Sequence, residues 1–302
     1  MNPDEKVDSL LIYVLSEDYA GYDSLFWAQF GVSFLLDIKT MGSRRRILFD
    51  TAAHTEPILH NMALLKIKPE DIDLIVLSHH HFDHTGGLAG IMEAIDKGNV
   101  PVVAHPEIFK TSVMARPYSD LEHFPYLNVG FIGKNTKENI EKLGGRWILV
   151  KDPICLMTGV MTTGEIKEEE KVDYEKGPIP ALQHIKEGRA SPDYIADEIS
   201  LFVNTLAGLV VINGCSHPGI VSIVKKAIST SGIKDVEAIV GGFHLTDASE
   251  EKIDQTIEGL SNLNVRRIYS GHCTGVKAEE KLREAFGDRF NRIYSGKIIG
   301  IH

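Results

Sequence analysis

Apolar and polar positions along this chain repeat with two different periods, and the period switches from segment to segment. Residues 9–15, 32–38 and 45–49 are rich in β-branched and aromatic side chains and predict three strands. Between the first two of these, residues 18–29 read as a connecting loop long enough to overhang a site. Residues 56–65 place Leu59, Met62 and Ala63 on one side of a helix. Pro69-Glu70-Asp71 opens a short helical turn, and Leu74-Ile75-Val76-Leu77 is apolar enough for a buried strand. A helix follows from Leu88 onward, and residues 100–104 form another strand. From Glu198 the alternation returns, with strands at 199–204, 209–213, 238–240 and 267–269 and helices at 220–229, 249–260 and 278–286. Strands alternating with helices predict an α/β fold. Residues 107–197 are less regular: Pro117, Pro125, Pro153, Pro178, Pro180 and Pro192 fall there, with a charged stretch at 165–171. That region reads as a loop-and-helix cap insertion within a single domain spanning 1–302.

The chemistry concentrates in His79-His80-His81-Phe82-Asp83-His84. On an extended backbone alternate side chains share a side, so His79 and His81 can hold one metal ion while His80 points away. The turn signal Thr85-Gly86-Gly87 follows, which brings Asp83 and His84 toward a second ion. Imidazole with carboxylate suits Zn, Mn, Fe or Ni rather than Ca or Mg. The run leaves the end of a predicted strand, where α/β folds place their reacting groups.

This run resembles the HxHxDH signature of the metallo-β-lactamase superfamily. The resemblance extends to Ile47-Leu48-Phe49-Asp50-Thr51, to Val210-Val211-Ile212-Asn213-Gly214-Cys215-Ser216-His217 and to Ile268-Tyr269-Ser270-Gly271-His272, and so covers about residues 8–275. It implies a four-layer αββα sandwich with two divalent metal ions at one edge, zinc first and manganese or iron as alternatives. It also implies that Asp50 supports the metal loop from behind and that His272 joins Asp83 and His84 as a ligand. Cys215 stands where most members carry a bridging Asp, so Cys215 or His217, two residues on, supplies a ligand to the first metal; His217 is the preferred of the two. The family's third-motif His has no counterpart, since Thr163-Gly164-Glu165 occupies its approximate place. Asp50-Thr51-Ala52-Ala53 also departs from the usual Gly after Asp-Thr. Taken with Gly241-Gly242-Phe243-His244, these segments resemble a branch that contains synthases of dihydropterin-aminobenzene ribophosphates and related metal-dependent hydrolases.

The remaining candidates follow from position and charge. His244 ends a strand that runs into Gly-Gly and suits substrate binding or proton transfer, which makes it a catalytic candidate beside Asp83. His105 and Asp197 sit at strand ends and read as substrate contacts, and Lys110, Arg116 and Lys134 as contacts to a substrate phosphate. A net charge of -10 leaves no basic surplus for nucleic acid. No apolar run approaches the roughly 18 residues of a membrane span. The stretch Met1-Asn2-Pro3-Asp4-Glu5-Lys6 lacks the apolar core of a signal peptide. Cys155, Cys215 and Cys273 make an odd count without framework spacing, which suits a reducing cytoplasm. The expected activity is that of a metal-dependent hydrolase acting on a small anionic or phosphorylated substrate. The alternative is a transferase condensing a dihydropterin diphosphate with ribofuranosylaminobenzene 5'-phosphate, which needs the same metal cluster. A flavodiiron-type redox role would need a fused flavin domain for which 302 residues leave no room.

Overall fold

A computed structural model describes residues 4–115, 126–179 and 182–301. The first part of the chain forms β1 (Ser9–Ser16), β2 (Ser33–Thr40), β3 (Ser43–Phe49), α1 (Thr55–Leu64), β4 (Leu74–Val76), α2 (Phe82–Thr85), α3 (Leu88–Ile95) and β5 (Val100–Ala104). The middle contributes β6 (Thr111–Ala115), β7 (Tyr126–Asn128), α4 (Lys137–Lys142), β8 (Gly145–Leu149), β9 (Cys155–Met157), β10 (Val160–Thr162), β11 (Leu182–Lys186) and β12 (Arg189–Pro192). The last part holds β13 (Leu201–Thr205), β14 (Gly208–Ile212), α5 (Ile220–Ser231), β15 (Val236–Gly242), α6 (Glu250–Asn262), β16 (Arg267–Gly271), α7 (Val276–Phe286), β17 (Phe290–Arg292) and β18 (Ile298–Ile301).

Two seven-stranded sheets face each other, ordered β18-β1-β2-β3-β4-β5-β8 and β17-β16-β15-β14-β13-β10-β9. The alternation of side chains along their strands explains the layering. Leu10, Ile12, Val14, Phe34, Leu36 and Phe49 point inward and meet Leu201, Val203, Val210, Ile212 and Val240 from the second sheet. The neighbours Leu15, Leu35 and Leu48 point outward onto Ile58 and Met62 of α1 and Leu88, Ile91 and Met92 of α3. Across the molecule Phe202, Leu209, Val211 and Ile239 do the same against α5, α6 and α7. Each sheet is therefore buried on both faces, and its strands read as nearly continuous apolar runs. The result is the expected four-layer αββα sandwich. The helices carry local signals of their own: Gly232 ends α5 in the left-handed region, and the Ser249 side chain accepts a hydrogen bond from Lys252 N at the start of α6.

Residues 107–197 differ from their expectation as loops and helices. β8 completes the first sheet, β9 and β10 extend the second, and β6, β7, β11 and β12 form a third sheet ordered β12-β11-β6-β7. These strands are short, and β11 pairs with β6 across almost seventy residues, as Leu182 does with Met114, so local pattern carries little of the information. The third sheet has a small core of Val129, Leu182 and Ile195. Pro192 is tolerated because β12 is an edge strand. Arg116, Pro117, His123, Pro125, Pro180 and His302 lie outside the described residues. Among the described residues no helix is long and apolar enough to cross a membrane.

Topology decides which ends of the strands meet. β3, β4, β5 and β8 run parallel, as do β14, β15, β16 and β17. β1 and β3 are each antiparallel to β2, so β1 shares the direction of β3. β18 closes the outer side of β1 in antiparallel register. The central position of Phe34, fully buried between the two sheets, sets the first prediction. Phe34→Ala should lower the unfolding free energy by about 3–5 kcal/mol in urea denaturation. A loss below about 1 kcal/mol would mean that this part of the intersheet core collapses around the gap.

Candidate metal centre

The C-terminal ends of β3, β4, β14, β15 and β16 deliver Asp50, residues 78–84, residues 213–217, His244 and His272 to one edge of the two facing sheets. Asp50, Ser216, His244 and His272 all have positive φ, between 48° and 65°, although none is glycine. Such backbone persists only where the surroundings over-determine it, and it clusters at functional sites. The one-turn helix α2 follows His81 directly, so the chain turns between His81 and Asp83 as the spacing predicts. Gly31 passes so close that a Cβ there would lie 1.8 Å from the Asp83 carbonyl oxygen, which excludes any side chain.

Two groups of donor atoms result. His79, His81 and His217 form one; Asp83, His84, Cys215 and His272 form the other. In the first, His79 Nε2 and His217 Nε2 are 3.3 Å apart. In the second, Cys215 Sγ lies 3.0 Å from His84 Nε2 and 3.4 Å from His272 Nε2. Asp83 Oδ2 is 3.5 Å from His84 Nε2 and 3.4 Å from His272 Nε2. Bonds of about 2.0–2.3 Å to one tetrahedral ion put its donors roughly 3.3–3.6 Å apart, so both groups have the spacing of a metal coordination shell. The donor chemistry fits as well. Burial, reinforced by neighbouring imidazoles, pushes His79, His81 and His217 well below the ordinary histidine range and keeps their lone pairs free. For His84 burial opposes the charge, but Asp83 and Asp50 outweigh it and raise the group. Burial also acts against the Asp83 carboxylate; His84 and His272 overcome that and hold it ionised.

A second set of side chains fixes the rings. Asp50 accepts from Ser78 N, from Ser78 Oγ and from His84 Nδ1, each at 2.7 Å. His79 Nδ1 donates in turn to Ser78 Oγ at 2.9 Å. Asp18 accepts from His272 Nδ1 at 2.5 Å, and Glu17 accepts from His272 N at 2.6 Å. Glu198, raised to about 8 by burial, accepts from Ser216 N and His217 N at 2.6 and 2.7 Å. Groups of this kind lock ring orientation and turn the free nitrogen toward the metal.

The sequence-derived candidates separate on this geometry. Cys215 and His217, weighed against each other for one site, fall in different groups and do not compete. His80 points away, with Nδ1 donating to Asp197 Oδ2 at 3.0 Å. The His244 ring centre is 4.3 Å from that of His217. His105 is elsewhere: it accepts from Glu107 N and faces Glu165 at 3.3 Å, and neither belongs to a donor group, whereas His217 joins His79 and His81. Lys110 and Asp197, expected to meet substrate, are buried and meet each other at 2.7 Å, because an enclosed ammonium needs its counter-ions at hand. Lys134 is 78% exposed beside Glu93. Arg116 lies outside the described residues. Glu17, Asp18 and Asp193 were not singled out from the sequence. The available signal for the first two was topological, since β1 runs parallel to β3 and releases its carboxylates at the edge that carries Asp50.

Comparison with known proteins agrees with the site. The chain belongs to the metallo-beta-lactamase superfamily, whose family model matches residues 28–161, and it is an enzyme. Over 294 residues it is 53% identical to 7,8-dihydropterin-6-methyl-4-(beta-D-ribofuranosyl)-aminobenzene-5'-phosphate synthase of Methanocaldococcus jannaschii, covering 97% of each chain. An uncharacterized protein of the same archaeon is 31% identical over 276 residues, 91% of this chain and 95% of the other. Among solved structures, a metal-dependent hydrolase of the beta-lactamase superfamily superposes with a TM-score of 0.78 at 24% identity, covering 97% of this chain and 99% of its own. The metallo-beta-lactamase fold protein YhfI of Bacillus subtilis gives 0.56 at 12% identity, over 97% of this chain and all of its own. At these identities the two structures speak for the fold.

The two donor groups predict the metal content of variants. Wild-type protein purified without an affinity tag should carry about two divalent ions per chain by mass spectrometry, one for each donor group. Cys215→Ala and His79→Ala should each leave about one. Loss of both ions from either variant would mean that the groups do not bind independently.

Proposed function

We propose that this enzyme joins a dihydropterin, supplied as its 6-methyl diphosphate, to 4-(β-D-ribofuranosyl)aminobenzene 5'-phosphate. The observation that carries the reading is the 53% identity to the synthase across 97% of both chains. The site supports it with donors for two divalent ions, and the cysteine sulfur among them, a thiol until a metal displaces its proton, favours zinc, with iron as the alternative. In this reading His79, His81 and His217 hold one ion and Asp83, His84, Cys215 and His272 the other. When bound, such ions supply positive charge against which a departing diphosphate is stabilised.

The bond changes define what the protein must do. The arylamine nitrogen forms a bond to the pterin methylene carbon, the bond from that carbon to the diphosphate oxygen breaks, and pyrophosphate leaves with the electron pair. The nitrogen gives up one proton. His244 is the group we assign to take it, since it stands beside His217 and is partly open to solvent. Asp50, Ser78 and Asp18 keep the ligand rings in place throughout.

The test is direct. Metal-loaded protein given both substrates should form the condensed product, seen by mass spectrometry, with pyrophosphate release that depends on the arylamine. Pyrophosphate release without the arylamine, accompanied by the hydroxymethyl pterin, would instead establish the hydrolase expected from the metal donors alone. His244→Ala should lower the rate about 10²–10⁴-fold while leaving metal content unchanged. Wild-type rates in that variant would remove His244 from the proton transfer.

A further inference from the structure

His80 lies between two candidate ligands yet is fully buried, and it is held from outside the metal loop. Asp197 Oδ2 accepts from His80 N at 2.9 Å and from His80 Nδ1 at 3.0 Å. The other oxygen of Asp197 lies 2.7 Å from Lys110 Nζ, and the same ammonium is 2.7 Å from Asp193 Oδ1. Asp193 also accepts from Ser112 Oγ in β6 and from Ile195 N. Every member of this network is buried, with the Lys110 side chain only 5% exposed.

The network joins two parts of the fold that have separate cores. Ser112 belongs to the third sheet, and Lys110 immediately precedes β6. The backbone adds a parallel link, since Phe82 N donates to Val129 O at 2.8 Å just beyond β7. The segment carrying the two aspartates then continues along the site. Ile195 takes a left-handed φ of 47°, an unusual conformation for a β-branched residue, and turns the chain between Asp193 and Asp197. Glu198 reaches the backbone of Ser216 and His217, and Ile199 N donates to Ser78 O at 2.8 Å. Residues 193–199 therefore touch both the loop after β4 and the loop after β14.

We infer that Asp197, clamped by Lys110, is a positioning residue that sets where His79 and His81 present their donor atoms, and that it couples the seating of the third sheet to the metal centre. A carboxylate that grips both the backbone and the ring of the residue between two ligands fixes the pleat of the loop, and with it the direction of both neighbours. His80 and Lys110 together keep that carboxylate charged, and Lys110 holds its second oxygen in place. Asp193 and Asp197 share the Lys110 ammonium, and His80 lies between the same two acids, 3.0 Å from Asp197 and 3.9 Å from Asp193. Substrate contact is excluded for both residues by their enclosure. The inference rests on the metal centre proposed above and is independent of which substrate that centre serves.

Zinc affinity measured by chelator competition, together with the thermal midpoint of the metal-free protein, tests it. Asp197→Asn and Lys110→Met should each weaken one of the two ions about 10–100-fold, the usual effect of removing a partner behind a ligand. Lys110→Arg, which keeps the charge, should restore most of that affinity. Lys110→Met strips both aspartates of their shared cation and will also lower the midpoint, whereas Asp197→Asn leaves Lys110 paired with Asp193. The triple variant Lys110→Met/Asp193→Asn/Asp197→Asn removes all three charges and should recover the midpoint while the weakened ion stays weak. In the cobalt-substituted triple variant the thiolate-to-metal band, which reports the Cys215 group, should be unchanged. Wild-type affinity in Asp197→Asn, or an affinity that returns with the midpoint in the triple variant, would overturn the positioning role and leave the metal centre standing. Wild-type protein that takes up no zinc would overturn both.

Discussion

Imidazole rings that must stay uncharged and carboxylates that must stay charged are packed here into one water-poor edge, and the rest of the structure is arranged to make that possible. Three rings in one group bring their donor nitrogens within 4.8 Å of one another, with those of His79 and His217 at 3.3 Å, a spacing that suits a shared cation. Burial alone would neutralise the aspartates as well as the histidines. The fold separates these outcomes by placing Asp83 between two imidazoles that favour its charge, and by burying His79 and His81 among further imidazoles that disfavour theirs. The parallel directions of the strands bring this about, because they release their loops on the same side of both sheets.

Support for the rings comes from elements that have no donor of their own. Asp50 leaves β3, Asp18 leaves β1, Glu198 precedes β13 and Asp197 follows the third sheet. Each holds one or two donor residues through the ring, a neighbour or the backbone. Removing one donor and removing one support are thus different perturbations: the first deletes a bond to the metal, the second lets an existing donor wander. The cysteine at the position usually held by a bridging aspartate gives the second group a soft donor.

Much of this was legible in the sequence, for physical reasons that differ by element. The strands of the two large sheets are buried on both faces, so β1, β2, β4 and β5 announce themselves by composition. The motif His79 to His84 is readable because its ligands are local and their spacing matches the pleat and the turn that follows. The third sheet was not readable: β6 and β11 are about seventy residues apart and only moderately apolar, so pairing rather than pattern defines them. Lys110 and Asp197 illustrate the corresponding error at the site. Charged residues near strand ends suggest exposure to substrate, whereas tertiary packing encloses these two against each other. Asp18 escaped notice because its meaning depends on the direction of β1 relative to β3, which no local window contains.

The contacts that complete this edge join residues from opposite reaches of the chain. His84 meets Cys215 across 131 positions, His272 meets Asp18 across 254, and Ser295 accepts from Glu17 N across 278. β18 lies against β1 on the same side. Loop closure on that scale is entropically slow, and it comes before the contacts that reward it. As the polypeptide is synthesised, the motif at His79 therefore emerges long before the residues that enclose it. The enclosure around that motif is complete only after β16 and β18 have joined their sheets, so a growing chain carries the motif for most of its synthesis without the residues that bury it.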